Sequence, residues 1–319
     1  MGIAFLLSGQ GAQKPGMGAA LIEQGAPEVA ETFAIASEAF GFDVADVCLN
    51  ASAETLRDTA FAQPAMCTLS VAVAKALEAR GVRPAYVAGF SLGQIAALAV
   101  SGMVSERDAF RIAAFRAKVM AEAAAARPGS MCALLGGEPE EASEVCSSAA
   151  QGDVLVCANY NAPGQIVISG DVAAVDRAAA LWKERPRHKA SMLATSGAFH
   201  SPLMQPAAGA LVEFLEEVEF HELARRWCAT WMPDRFLRPM LARTWRARLF
   251  RPFCSSKACI GFLSRVSTRS WNAGSAACSP SSSSALSLPR RDSRPYPPKK
   301  LPRSQAKSLA AVPNKKESS

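Results

Sequence analysis

One stretch, AYVAGFSLGQIAALAVSG from Ala85 to Gly102, constrains this chain more than any other. A short apolar run, Tyr86-Val87-Ala88, enters Gly89-Phe90-Ser91-Leu92-Gly93 and leaves as the helical run Ile95 to Val100. Strand, sharp turn and helix follow one another, and Gly-x-Ser-x-Gly at such a junction is the nucleophile-elbow pattern. Glycines on both flanks relieve crowding around a strained serine whose Oγ projects from the turn. The next helix opens there with N–H groups that have no partner within it, Leu92 first, aimed at any oxyanion formed on a carbonyl under attack. A match of three residues alone fits an ordinary glycine turn equally well. The strand before it and the helix after it favour the nucleophile.

Strand and helix alternate elsewhere too. Ile3 to Leu7 reads as a first strand, feeding the Gly-rich turn Ser8-Gly9-Gln10-Gly11-Ala12-Gln13. Helical patterns cover Pro27 to Phe40 and Pro64 to Arg80, and the alternation predicts an α/β fold with a parallel sheet. From Ser130 the pattern becomes strand Met131 to Leu135, helix Glu138 to Ala150, strands Val154 to Tyr160 and Gln165 to Ser169, helix Val172 to Glu184, and strand Lys189 to Ala194. This β-α-β-β-α-β order predicts a ferredoxin-like small domain over 129–195, inserted into a large domain of 1–128 and 196–222. A cleft between the two is the natural place for a substrate.

Composition sets the outer bounds. Half of the 319 residues are hydrophobic, enough to bury a large core. No run of 18 apolar residues and no basic, apolar leader is present, so neither a membrane span nor a signal peptide is expected. Nine cysteines without Cys-x-x-Cys spacing predict free thiols, a cytoplasmic location and no metal site. The net charge of +7 averages two unlike segments. Residues 1–222 hold 15 basic and 25 acidic side chains; residues 223–319 hold 20 and 3 and most of the Ser-Pro clusters.

A nucleophilic serine needs a base, and the chain offers only His188, His200 and His221. His188, in KERPRHKA, reads as a solvated surface residue. His221 lies beside the change of composition. His200, in SGAFHSPLM, sits in a loop where the small domain rejoins the large one, which suits a base as well as a structural residue.

Six blocks then stand in order: SGQGAQKPGMG, QPA at Gln63 to Ala65, GFSLGQIAAL, FRAKVM, NYNAPGQIVISG and SGAFHSPLM. In order and spacing they resemble the malonyl-CoA:acyl carrier protein transacylase family over about residues 1–222. The resemblance implies an α/β-hydrolase-like large domain, acylation of Ser91 by malonyl-CoA, and His200 as its base. It implies an oxyanion hole from the backbone N–H groups of Gln10 and Leu92, and substrate contacts from Arg116, Gln63, Phe199 and Phe90. A planar two-pronged guanidinium at Arg116 pairs both oxygens of a free carboxylate and so selects a diacid thioester. Read from the residues alone, Arg116 is instead a helix-surface arginine in an ion pair. Phe199 resembles the malonyl-selective version of its block, and Phe90 departs from the histidine of many members. The implied substrates are malonyl-CoA and the phosphopantetheine thiol of acyl carrier protein, with no cofactor, in a monomer of fatty acid biosynthesis. A serine esterase or thioesterase is the alternative on the same elbow, and a catalytically impaired, truncated transacylase is another. A nucleic-acid-binding reading rests only on the basic tail, which carries no recognisable motif.

The family continues past Glu222 with an Asn-Val-Asp-Ala-like strand end and an E-x-G-x-x-x-V-L segment, and neither stands here. Back-translation supplies a reason. Trp227 to Pro233, with codons TGG TGY GCN ACN TGG ATG CCN, reads from the third base as Val-[Arg/Cys]-[Asn/Asp/His/Tyr]-[Val/Leu/Met]-Asp-Ala. The same offset over Leu263 to Trp271 permits Glu-x-Gly-x-x-x-Val-Leu. Residues 223–319 are therefore expected to be an out-of-frame basic tail, disordered or misfolded.

Overall fold

The structure, a computed structural model, describes residues 3–221 and the backbone of 226–229. Along the chain come β1 (Ala4–Leu7), α1 (Ala19–Glu23), α2 (Pro27–Phe40), α3 (Val44–Asn50), α4 (Thr59–Ala79), β2 (Tyr86–Gly89), α5 (Gly93–Val100) and α6 (Glu106–Ala126). Then follow β3 (Ser130–Leu135), α7 (Pro139–Ala150), β4 (Leu155–Ala162), β5 (Gln165–Gly170), α8 (Val172–Lys183), β6 (Lys189–Met192), α9 (Gln205–Phe214) and β7 (Arg226–Ala229). The described residues all fall in one unit, Met1–Ser270; a second, Trp271–Ser319, lies outside them.

β1, β2 and β7 form a parallel sheet in that order, with Leu7 opposite Gly89 and Gly89 opposite Ala229. Helices α2, α4, α5 and α6 cover it through a core that includes Val29, Phe33, Met66, Val71, Ile95, Phe110 and Ile112. α4 is buried along most of its length, and its many alanines let neighbouring helices approach closely. It is also a helix long and apolar enough to cross a membrane, yet over half of it is buried in this core.

Two expectations about element boundaries are corrected. α4 begins at Thr59, one turn before Pro64, because Asp58 caps it by accepting the Ala60 N–H at 2.8 Å. The proline, which lacks an N–H, stands inside the helix rather than at its start. Second, β7 falls within the segment read as a tail: its backbone pairs with the open edge of β2, and ladder bonds are made by the main chain whatever the side chains. The rest of the tail, and with it the expectation of disorder, lies outside the described residues.

The β-α-β-β-α-β order expected from Ser130 onward is the order observed, with strands arranged β4-β5-β3-β6, all antiparallel. Alternate residues of β3 and β5 face opposite ways. Cys132, Leu134, Ile166 and Ile168 pack on α7 and α8 around the buried Trp182. Met131, Ala133 and Val167 instead meet Val119, Met120, Ala123 and Ala124 of α6, together with Phe199 and Met204. The sheet thus presses one face on the helix and the loop that carry two of the expected site residues, Arg116 and His200. His188 is corrected here: its side chain is 10% exposed and stands edge-on to Trp182 at 4.5 Å, with Nδ1 2.9 Å from the Pro186 carbonyl. Gly137 leaves the space for this packing, since a Cβ there would lie 2.4 Å from Trp182 and 2.6 Å from His188.

Candidate active site

The register of β1 and β2 brings two turns side by side. Beyond Leu7 the chain enters Ser8-Gly9-Gln10, and beyond Gly89 it enters Phe90-Ser91-Leu92; the Phe90 N–H donates to the Leu7 carbonyl at 3.0 Å. The glycines are required by this contact. A Cβ on Gly93 would stand 2.2 Å from the Leu7 oxygen, one on Gly89 2.1 Å from the Gly93 backbone, and one on Gly9 2.6 Å from the Phe90 oxygen. Ser91 itself has φ 50°, in the left-handed region that L-residues avoid. Strain of this kind is held by the surrounding structure and collects at working sites.

From the other side comes the loop after β6. Its end packs through Phe199, 7% exposed, against α6, while His200 takes φ 61°. The imidazole Nε2 then lies 2.9 Å from Ser91 Oγ. Burial, and after it the nearby Arg116 charge, pushes the His200 pKa down to about 4, so the ring is neutral near pH 7 and can accept a proton. His221, by contrast, stands elsewhere, its backbone N–H donating to the Met103 carbonyl at 2.8 Å and its ring Nδ1 3.9 Å from Glu219 Oε1.

α6, capped by Ser105, carries Arg116 to the same point, with Nη2 3.4 Å from Ser91 Oγ. The surface ion pair that the residues alone suggested is therefore corrected. Among the described residues no carboxylate pairs with this guanidinium, and burial lowers its pKa to about 10, still protonated near neutrality. A partly buried, unpaired cation beside a nucleophile can hold an anionic group.

Leu92 is fully buried at the N-terminus of α5, and neither its N–H nor that of Gln10 donates a hydrogen bond among the described residues. The Gln10 side chain is anchored: its Nε2 donates to Thr59 Oγ1 at 3.2 Å, and its Oε1 accepts from Gln63 Nε2 at 3.4 Å. Thr59 Oγ1 is in turn 2.8 Å from Ser196 Oγ. Sequence reading missed Thr59 and Ser196. A hydroxyl four residues before the Gln63 of QPA, one helical turn away, and another four before His200 were the available signals. Phe90 flanks the serine and is 42% exposed. Among the described residues no group of three or more His, Cys, Asp or Glu could hold a metal.

A strained serine with a neutral histidine at hydrogen-bond distance is an arrangement suited to acyl transfer, and the family model described as acyl transferase domain matches residues 4–259. The chain belongs to the acyl transferase domain family. This acyl transferase is 38% identical over 220 residues to the malonyl CoA-acyl carrier protein transacylase of Haemophilus influenzae, covering 68% of this chain and 70% of that one. It is 39% identical over 221 residues to its namesake in Escherichia coli K12, covering 68% and 71%. Among solved structures it resembles the malonyl-CoA:acyl carrier protein transacylase of Xanthomonas oryzae pv. oryzae, with TM-score 0.72, 39% identity and coverage of 82% and 83%. A malonyl-transacylase in complex with its type II PKS acyl-carrier protein is similar at TM-score 0.72 and 32% identity, covering 83% and 86%. The family match runs past the change of composition at Glu222, where the resemblance read from the motifs stopped.

Proposed function

We propose that this acyl transferase moves malonyl from malonyl-CoA to the phosphopantetheine thiol of acyl carrier protein through a malonyl-Ser91 intermediate. The observation that carries the proposal is the Arg116 guanidinium, 3.4 Å from Ser91 Oγ and paired with no carboxylate among the described residues. An acetyl group offers it nothing, whereas the free carboxylate of malonate offers two oxygens to its planar fork.

Ser91 Oγ attacks the thioester carbonyl as His200 Nε2 takes its proton. The tetrahedral oxyanion is held by the N–H groups of Gln10 and Leu92, which need no reorganisation to receive it. On collapse the C–S bond breaks and His200 returns the proton to the departing CoA sulfur. The carrier-protein thiol then repeats the sequence in reverse, attacking the acyl-serine while His200 takes its proton, and Ser91 leaves reprotonated. Gln63 supports Gln10, Phe199 narrows the space beside the malonyl α-carbon, and Phe90 borders the approach.

In this proposal the parallel sheet and its helices form an α/β-hydrolase-like large domain of 1–128 and 196–222. The antiparallel unit of 129–195 is a ferredoxin-like small domain. The protein acts without a cofactor, as a cytoplasmic monomer whose macromolecular partner is the carrier protein rather than a nucleic acid or a membrane.

Incubation with malonyl-CoA followed by intact mass and peptide mapping tests the proposal. A malonyl adduct on Ser91, absent from Ser91→Ala and passed to added holo carrier protein, is the expected result. Release of free malonate with no carrier-bound product would instead make the protein a thioesterase.

A further inference from the structure

We infer that Thr59 is a positioning residue that locks the oxyanion loop to the base loop, its hydroxyl serving as a pin between Gln10 and Ser196. The inference rests on the acyl-transfer reading of Ser91, His200 and the Gln10 N–H. Three segments distant in sequence meet at one oxygen. Thr59 opens α4 and is fully buried, Gln10 lies in the turn after β1, and Ser196 begins the segment that ends in His200. Gln10 Nε2 donates to Thr59 Oγ1 at 3.2 Å, and Thr59 Oγ1 lies 2.8 Å from Ser196 Oγ. A hydroxyl can accept one bond and donate the other, so both are satisfied at once.

The geometry explains why a pin is needed there. The turn after β1 is rich in glycine, with Gly11 at φ 112° and Gly16 at φ 72°, and glycine restrains a backbone less than any other residue. A donor N–H on a turn of this kind stabilises an oxyanion only when its place is set before the reaction. Gln10 is set through its side chain, at Oε1 by Gln63 and at Nε2 by Thr59, both on the first turns of α4. α4 is an anchor because it is buried through the core of the large sheet's helical layer. The Ser196 bond extends the same anchor to the loop of the base. The oxyanion donor and the proton acceptor are thus referred to one rigid helix end.

Covalent labelling of Ser91 by a fluorophosphonate tests this without relying on a malonyl substrate. The label needs the nucleophile, the base and the oxyanion hole, and it is indifferent to Arg116 pairing. Thr59→Val keeps the shape and removes the hydroxyl; its labelling rate is expected to fall by about tenfold or more. Thr59→Ser restores the hydroxyl and is expected to recover most of the rate. Ser196→Ala, at an exposed position that does not threaten folding, is expected to slow labelling, and the double variant Thr59→Val with Ser196→Ala to be slowed by less than the product of the two. With malonyl-CoA, kcat should carry the loss while KM changes by less than about threefold.

A folded Thr59→Val protein, judged by an unchanged melting transition, that labels at the rate of the parent overturns the inference. So does a slow Thr59→Val that Thr59→Ser fails to rescue. If Thr59→Val does not fold, parent-like labelling of Ser196→Ala overturns it equally. Should the parent chain itself fail to label at Ser91, the nucleophile reading falls and the inference with it. Labelling without malonyl transfer would spare the inference and remove only the substrate.

Discussion

Ser91 and His200 both hold positive φ, 50° and 61°, and from those two strained positions their side chains meet at 2.9 Å. Neither strain would persist in an isolated loop. Each is over-determined by its neighbours: the elbow by the turn after β1, the His200 loop by the seat of Phe199 on α6.

The pH dependence follows from His200. Because burial and then Arg116 lower its pKa from 6.5 to about 4, acylation of Ser91 should hold nearly constant from pH 8 to 5 and fall as pH drops through about 4. Stability has the same sign over a wider window. The unfolded chain takes up the His200 proton first, so the folded state loses on the order of 3 kcal/mol from this group as pH falls from about 6.5 to about 4. Denaturant melts over that range, with His200→Asn as the comparison, check it; a slope that persists unchanged in the variant would reject the assignment.

Arg116→Ala should cost malonyl-CoA selectivity. Removing a desolvated ion-pair partner costs roughly 2 to 5 kcal/mol, so kcat/KM for malonyl-CoA is expected to fall by more than tenfold while that for acetyl-CoA holds or rises. An unchanged ratio between the two thioesters would mean that the guanidinium holds no substrate carboxylate.

Gly93→Ala should unmake the elbow. The added Cβ would sit 2.2 Å from the Leu7 carbonyl oxygen, and backbone on both sides leaves no flexible group to yield. Overpacking of this kind costs about 1 to 3 kcal/mol or more, so the melting temperature should drop by several degrees and Ser91 labelling should fail. A variant with the parent's melting temperature and labelling rate would contradict the close approach of the two turns.

Cys157 should be the thiol that alkylates first among the described cysteines. Its Sγ is 3.7 Å from that of Cys146, and the hydrogen bond between the two thiols, with further bonds to Tyr160 and Ser143, lowers its pKa against the opposing effect of burial. Burial pushes the Cys48 and Cys67 thiols up to about 12, and Cys146 is raised by its bond to Cys157. Iodoacetamide mapping should therefore find Cys157 modified before the other described cysteines at pH 7, with the rate falling as pH is lowered. Preferential labelling of Cys48 or Cys67 would contradict these environments.

The coding argument for residues 223–319 also makes a prediction. A chain with the frame shifted by one base after codon 222, so that Trp227 to Pro233 reads through Val and ends Asp-Ala, should turn over malonyl-CoA faster than the chain as written. Equal turnover by both would mean that the segment as written is a working part of the enzyme.

Local order was legible for local reasons. Gly89-x-Ser91-x-Gly93 after an apolar run announces a strand, a turn and a helix because glycine spacing and hydrophobic period act within a few residues. The span Pro27–Phe40 matched α2 residue for residue, with proline at its start and Gly41, at φ 78°, closing it. The start of α4 is not legible at Pro64, because a proline usually ends or opens a helix and here the cap at Asp58 outweighs it. The environment of His188 is not legible in its charged sequence neighbours, because the ring it packs against, Trp182, is brought to it by the fold of the small sheet and its helices.

What the sequence by itself determined is the set of parts: a serine on an elbow, a histidine in a loop, an arginine on a helix and a Gly-rich turn. Only the tertiary structure decided their geometry. Ser91 and His200 are 109 residues apart and Thr59 and Ser196 137 apart, and no local pattern encodes such separations. They are brought within hydrogen-bond distance by the β1–β2 register and by the burial of α4 and α6. That no carboxylate among the described residues pairs with Arg116 is likewise a property of the fold, since only the packing of α6 decides which of those acidic side chains come near it.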